Sequence, residues 1–430
     1  MKRLPSLLLA FLLIAPALAD ANDELSLAIK NASYDLQFSD YKMSGEGYDK
    51  LIDEAKRHKV FMFGENHATA EIAIFAHQVY SDLSQDIPRL LVTEVGPMAA
   101  RKMQSLVQNG RYREYMSRGL NLQTIPFFAF EEEVALLENA CNQSHGFTDC
   151  IIGLDQEFIA SAPIVYDYFK EHAPNDAALE TLESFDNWSW LNPFLVGQGD
   201  GKAVNEVAKA YQSSSDPLVK TRAQQLALSY KIYKNQMGGD AAWSNEARES
   251  LMMDNFIEQL DHPDIPDLFL KFGAYHTMKG HSVTVDKALG ERVDDWAKAK
   301  GWSTLNLFID GYQGTSRDPL LGFEQDKSHF TNWSKSPFAE FIPQEGAVLF
   351  DLRKLRSFVD SEKFTKRQKM VISNYDYLLM FSTVSAATFL DGRLITRTYL
   401  AVICFIVLTI VMLLIWWLVR FIKKRRRGKR

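Results

Sequence analysis

In the stretch VFMFGENHAT, residues 60–69, an apolar run ends at Gly64, and Glu65, Asn66 and His67 follow at once. A buried strand has no use for a carboxylate and an imidazole two positions apart. The pair points to chemistry instead. An imidazole held by a carboxylate can take a proton from water as a general base, and a second cation can stabilise the oxyanion that results. Similar polar punctuation follows three other apolar runs. RLLVTEVGP (89–97) carries Glu94, CIIGLDQEF (150–158) carries Asp155 and Gln156, and DLFLKFGAYHTMKGH (267–281) carries His276, with Lys279 and His281 beyond it. The same residue types leave a second chemistry open, a divalent metal on His67, His276 and the carboxylates that activates water. No H-E-x-x-H spacing accompanies them, and G-x-S-x-G, P-loop and G-x-G-x-x-G motifs are absent from the sequence. Taken singly, Glu65 reads as a helix-start carboxylate, His67 as a packed histidine and Asp155 as a turn residue. Four polar ends at equivalent positions favour one shared site.

The elements that must position these residues are short apolar runs. Those at 59–67, 89–97, 150–158 and 267–281 are joined by STLNLFI (303–309), GAVLFDL (346–352) and DYLLMFSTV (376–384). Such runs predict strands buried on both faces. Between them, Ile72, Phe75, Val79 and Leu83 mark one face of a helix, and FFAFEEEVALLENA (127–140) predicts another, with Glu131 to Glu133 on its solvated side. Alternating strands and helices imply an α/β fold with a largely parallel sheet flanked by helices. The stretch 162–261 lacks a strand pattern and reads as a helical insertion that caps the sheet. Ligands of open α/β sheets bind outside the carboxyl ends of the strands, where all four polar ends fall.

The chain has 430 residues, 47% hydrophobic and 24% charged, enough for one large domain or two small ones. It opens with MKRLPSLLLAFLLIAPALAD, whose basic start, apolar run and Ala-Leu-Ala site predict a signal peptide over 1–19. Near the other end, Tyr399 to Val419 is uncharged and is followed by KKRRRGKR. That pattern predicts an extracytoplasmic body (20–390), a stalk (391–398), a single transmembrane helix (399–422) and a basic cytoplasmic tail (423–430), with the inner membrane as location. Setting aside the basic residues at both ends leaves roughly 38 against 54 acidic ones, a charge near −16 on the body. That balance argues against nucleic acid as partner. Cys141 and Cys150 bracket CNQSHGFTDC, and in an oxidising compartment they are expected to form a disulfide. Two thiols argue against zinc.

GENHATAE, LLVTEVGP, GLDQ, RESLMMDN and FGAYHTMKG, in this order, resemble the erythromycin esterase-like superfamily, which is related to the ChaN-type haem-binding and Tiki/TraB proteins. The likeness covers about 50–385. Arg248, Met252 and Asn255 fit its R-x-x-x-M-x-x-N helix, Glu94 its second element and His276 its last. Glu65 and His67 stand two apart, as in the haem-binding branch, and Ala274-Tyr275 depart from the residues usual before the last histidine. The resemblance implies a hydrolase that activates water against an ester or related bond of a small molecule. His67 would be the base, with Glu65, Glu94 and His276 assisting. The family's substrate contacts do not carry over; the substrate contacts expected in this chain are Asp155, Gln156, Arg248 and Lys279. The alternatives it implies are a haem- or metal-binding protein and a metal-dependent peptidase. Macrolide hydrolysis does not carry over.

Overall fold

The computed structural model describes residues 24–39, 41–118, 124–125, 127–143, 147–186, 196–197, 201–318, 324–327, 333–390, 403–417 and 420. Among them, ten strands join in one sheet. They are β1 (Ser33–Ser39), β2 (Lys42–Ser44), β3 (Val60–Glu65), β4 (Arg89–Thr93), β5 (Ile151–Gly153), β6 (Asp267–Gly273), β7 (Thr304–Arg317), β8 (Glu324–Asp326), β9 (Ala347–Asp351) and β10 (Tyr377–Val384). The order is β2-β1-β9-β10-β7-β3-β6-β4-β5, with β8 paired to β7. From β10 to β5 every pair is parallel. β9, β1 and β2 add on antiparallel. The sheet is therefore mixed rather than largely parallel throughout. The reason is visible in burial. β3, β4 and β9 are buried along their whole length, as covered central strands must be. β1 alternates buried and exposed residues at the rim.

The two faces of the central strands pack against different helices. Phe61, Phe63, Leu91 and Phe269 join Phe75, Val79 and Leu137, from helices Ala70–Ser84 and Glu131–Asn142. Val60, Met62, Val92, Leu268 and Leu270 join Met252, Phe256 and Leu260 of helix Ala241–Leu260 and Val293 of helix Leu289–Ala299. Period-two alternation thus sends successive residues to opposite layers. Truncating a core residue such as Phe256 to alanine would cost about 3–5 kcal/mol. Among the described residues, five helices lie between β5 and β6: Ala162–Glu171, Asp176–Asp186, Lys202–Tyr211, Pro217–Gly238 and Ala241–Leu260. The last is fixed to the sheet by Met252 and Phe256 and runs down to the start of β6. Its first turns therefore stand over the carboxyl ends of the strands, which is where Arg248 and Glu249 project.

Two expectations need correcting. Among the described residues no helix is long and apolar enough to cross a membrane. The apolar C-terminal helix is described from 403 to 417, about 22 Å at roughly 1.5 Å per residue, short of a hydrocarbon core of about 30 Å. The predicted signal peptide, stalk and basic tail lie outside the described residues. The second correction concerns Glu133. The helix expected from 127 begins at Glu131, and Glu133, read as solvated, is buried. The Cys141–Cys150 disulfide is formed, tying that helix to the entry of β5.

Candidate active site

β3 ends at Glu65, and the chain turns sharply after it, with Ala68 in the left-handed region at φ 64°. The turn folds His67 back, so that Nδ1 lies 2.8 Å from Glu65 Oε1. Phe127, also left-handed at φ 66°, stacks on the imidazole with ring centres 3.8 Å apart and planes 11° from parallel. A bulky residue with positive φ is a costly conformation, and here it holds the ring over His67. Glu94 follows β4 and accepts a hydrogen bond from the Gly273 amide at 2.6 Å. A Cβ on Gly273 would stand 2.9 Å from His67 Nε2 and 3.2 Å from Glu94 Oε2, so this position needs glycine for the close approach.

His276, just beyond β6, repeats the arrangement of His67. Its Nδ1 lies 2.5 Å from Glu249 Oε1, and Glu249 is itself fixed by the Leu289 amide at 2.7 Å. Both imidazoles turn Nε2 to Glu94, each at 3.4 Å, one on each carboxylate oxygen. Arg248 donates from Nε and Nη2 to Asp155, at 2.8 and 2.6 Å, and from Nη2 to Glu94 at 2.8 Å. Lys271 of β6 donates to Glu65 at 2.6 Å and to Glu133 at 2.8 Å, with all three side chains buried. Five carboxyl groups (Glu65, Glu94, Glu133, Asp155, Glu249) thus meet four basic groups (Lys271, Arg248, His67, His276).

Burial opposes the imidazolium of His67, but hydrogen bonds to Glu65 and Glu94 outweigh it and raise its pKa to about 9. Burial likewise opposes the charge on His276, and the carboxylates of Glu249 and Glu94 push it up to about 10. For Glu94, burial would raise the pKa, yet His276 and His67 bring it well below the ordinary range. Glu65 is lowered, with burial overcome by Lys271 and His67. Glu133 goes the other way. Burial and the nearby Glu65 carboxylate outweigh Lys271 and lift it to about 7.

These groups line one cavity of about 480 Å³, together with Phe158, Ile232, Tyr233, Tyr275 and Phe308. His67, Glu65, Glu94, His276, Asp155, Gln156 and Arg248 all border it. Lys279, expected as a substrate contact, does not. It bonds Asp376 at 2.7 Å and the Thr304 carbonyl at 2.8 Å, at the opposite ends of the strands. His281 is exposed and faces Asp286. Sequence reasoning missed Glu249, Lys271, Glu133 and Phe127. Lys271 had a visible signal, a lysine inside the apolar run LFLKF. Glu249 stood beside Arg248 in RESLMMDN, and Phe127 had none.

A metal or haem fits these residues poorly. The carboxylates already face Lys271 and Arg248. Among the described residues no group of three or more His, Cys, Asp or Glu side chains is arranged to hold an ion.

No family model matches the chain. A curated human protein, ectonucleotide pyrophosphatase/phosphodiesterase family member 5, is 40% identical over 67 residues; the match spans 14% of this chain and 14% of that protein's length. Solved structures match far more of it. A Bacillus cereus protein superposes with a TM-score of 0.58 at 14% identity, over 86% of this chain and 99% of its own. A succinoglycan biosynthesis protein gives 0.57 at 14% identity, over 86% and 99%. The erythromycin esterase EreC, as a histidine-to-asparagine variant in its open conformation, gives 0.56 at 12% identity, over 84% and 99%. At these identities the likeness establishes architecture alone, and that architecture is the erythromycin esterase-like fold.

Proposed function

We propose that the chain hydrolyses an ester or related bond in a small molecule, with His67 as the water-activating base. The observation that carries this reading is the pair of carboxylate-held imidazoles, each turning Nε2 onto the same cavity and the same Glu94. Glu65 and Glu249 orient the rings as the acid member of a catalytic triad orients its histidine. In the form that has given up its extra proton, His67 Nε2 takes a proton from water, and the oxygen attacks the acyl carbon. The oxyanion forms against the Nε2–H of His276, which is charged at neutral pH. As the tetrahedral intermediate collapses, the acyl–oxygen bond breaks and the proton held by His67 passes to the leaving oxygen. Arg248, locked on Asp155 and Glu94, keeps the central carboxylate in place. Phe158, Ile232, Tyr233 and Phe308 give the substrate an apolar wall. The disulfide supports a body that resides in an oxidising compartment.

The test is hydrolysis of a panel of neutral esters and lactones by the full-length protein and by His67→Ala. The variant should lose about 10²–10⁴-fold in rate, the usual worth of general base catalysis. Equal rates in the two proteins would defeat the assignment.

A further inference from the structure

Behind the Glu65–His67 dyad lies a second buried pair that the reaction above does not use. Lys271 shares a face of β6 with Phe269 and points to the layer covered by helix Glu131–Asn142. A lysine there is costly to bury, and one carboxylate would leave it poorly compensated in so dry a place. It has two. The contacts run Glu133 Oε1–Lys271 Nζ, 2.8 Å; Lys271 Nζ–Glu65 Oε1, 2.6 Å; Glu65 Oε1–His67 Nδ1, 2.8 Å. Lys271 and His67 grip the same oxygen of Glu65. The other oxygen of Glu133, Oε2, is buried and has no hydrogen-bond partner among the described residues.

With Lys271 and His67 charged and both carboxylates ionised, this set of four is neutral. Removing the His67 proton, as a base must, would leave a net negative charge in the interior. Glu133 carries one of the two negative charges that resist that loss, and its unpartnered Oε2 is the atom free to take a proton. We propose that Lys271 and Glu133 are positioning residues of the site: Lys271 fixes the Glu65 oxygen that holds the His67 ring, and Glu133 titrates in step with the set, its charge raising the pH at which His67 gives up its proton. The inference rests on His67 as the base. Burial and Glu65 lift the Glu133 pKa to about 7, so its charge changes below the His67 step. Other groups that act on Glu133 or His67 are Tyr112, which carries a charge interaction with Glu133, and Glu94, which links His67 to His276 and Arg248.

The experiment is an NMR titration of the His67 ring nitrogens in the full-length protein, in wild type, Glu133→Gln and Glu133→Asp. Glutamine keeps the shape and removes the negative charge, so the His67 midpoint should fall by about one pH unit or more from the wild-type value. Aspartate keeps the charge and should restore it. A purely structural Glu133 would leave the midpoint unmoved in a folded glutamine variant, and that result overturns the proposal. If the glutamine variant does not fold, the Glu133 carboxyl carbon is followed in wild type. It should titrate in two steps, one in register with His67. A single step independent of His67, or a carboxylate ionised throughout, overturns it as well. The readout is proton occupancy rather than turnover, so its failure is separate from any failure of the hydrolase reading.

Discussion

The two ends of the parallel strands carry two charged networks of similar size and opposite character. At the carboxyl ends, Glu94, His67, His276 and Arg248 face a cavity, and both imidazoles keep Nε2 turned into it. At the amino ends, Lys279 joins Asp376 and the Thr304 carbonyl, and Asp376 also accepts from the Asn306 amide and from Arg356. Nearby, Arg353 is clamped by Asp351, Glu54 and the Tyr377 hydroxyl. Every contact there joins one element to another. The first network has hydrogen-bonding capacity left over for a substrate, and the second is spent on holding β7, β9 and β10 in place. Charge density alone does not mark a site; charge with an unspent atom over a cavity does.

That contrast breaks most readily at Glu94. Glu94→Gln keeps the shape but removes the carboxylate between the two imidazoles. It should lower hydrolysis by about 10²-fold or more while circular dichroism stays unchanged. A variant that lost fold and activity in parallel would erase the distinction between the two ends. The pH dependence is the next largest effect. The reactive form needs His67 without its proton and His276 with its own. The rate should therefore climb about tenfold per pH unit up to about 9 and decline above about 10, where His276 deprotonates. The sign for stability is opposite. The folded state holds these protons above the unfolded value of about 6.5, so melting temperature should drop as pH rises through about 9 and 10. A rate optimum near pH 6 would reverse the roles.

Smaller effects sharpen the comparison from the structural side. Opening the disulfide with Cys141→Ser and Cys150→Ser should cost about 2–4 kcal/mol in urea unfolding, with turnover per folded molecule unchanged, because it belongs to neither network. Lys279→Met should cost about 1–3 kcal/mol by removing one of the two cations on Asp376 and should also leave turnover unchanged. A rate loss without a stability loss in that variant would move Lys279 back to the site.

The contrast also explains what could be read from the sequence. Apolar runs that end in Glu65, Glu94, Asp155 and His276 were legible, since a strand buried on both faces leaves an unbroken apolar signature and its end is marked by the first charge. The rim strands β1, β2 and β8 were not, because their half-exposed residues carry no such run. Lys279 misled through proximity, three residues after His276. The chain leaves β6, and Lys279 hydrogen-bonds through its amide to Asn374, beside the start of β10, so neighbours in sequence serve opposite ends. Glu133 misled through averaging. Three consecutive glutamates look like one solvated face, but a helix turns about 100° per residue, and the third of them reaches Lys271. Membrane crossing was inferred from 399–422, of which the structure describes a shorter apolar helix.

Arg248 and Glu249 are consecutive residues on one helix, and they serve different halves of the chemistry. One bonds Glu94 directly while Asp155 holds it in place, and the other holds His276. Helix Ala241–Leu260 is therefore not an interchangeable lid. Grafting in the corresponding segment of another protein would dismantle the second dyad along with the roof. The preceding helix, Pro217–Gly238, contributes Ile232, Tyr233 and Gln236 to the cavity wall. The helix is tied to helix Ala241–Leu260 by Arg222–Glu258 and Gln225–Asn255, so it does not drift freely, but among the described contacts those three wall residues bond neither His67, Glu94 nor His276. New substrate ranges should arise by changes there, while the Arg-Glu pair twelve residues further along stays as it is.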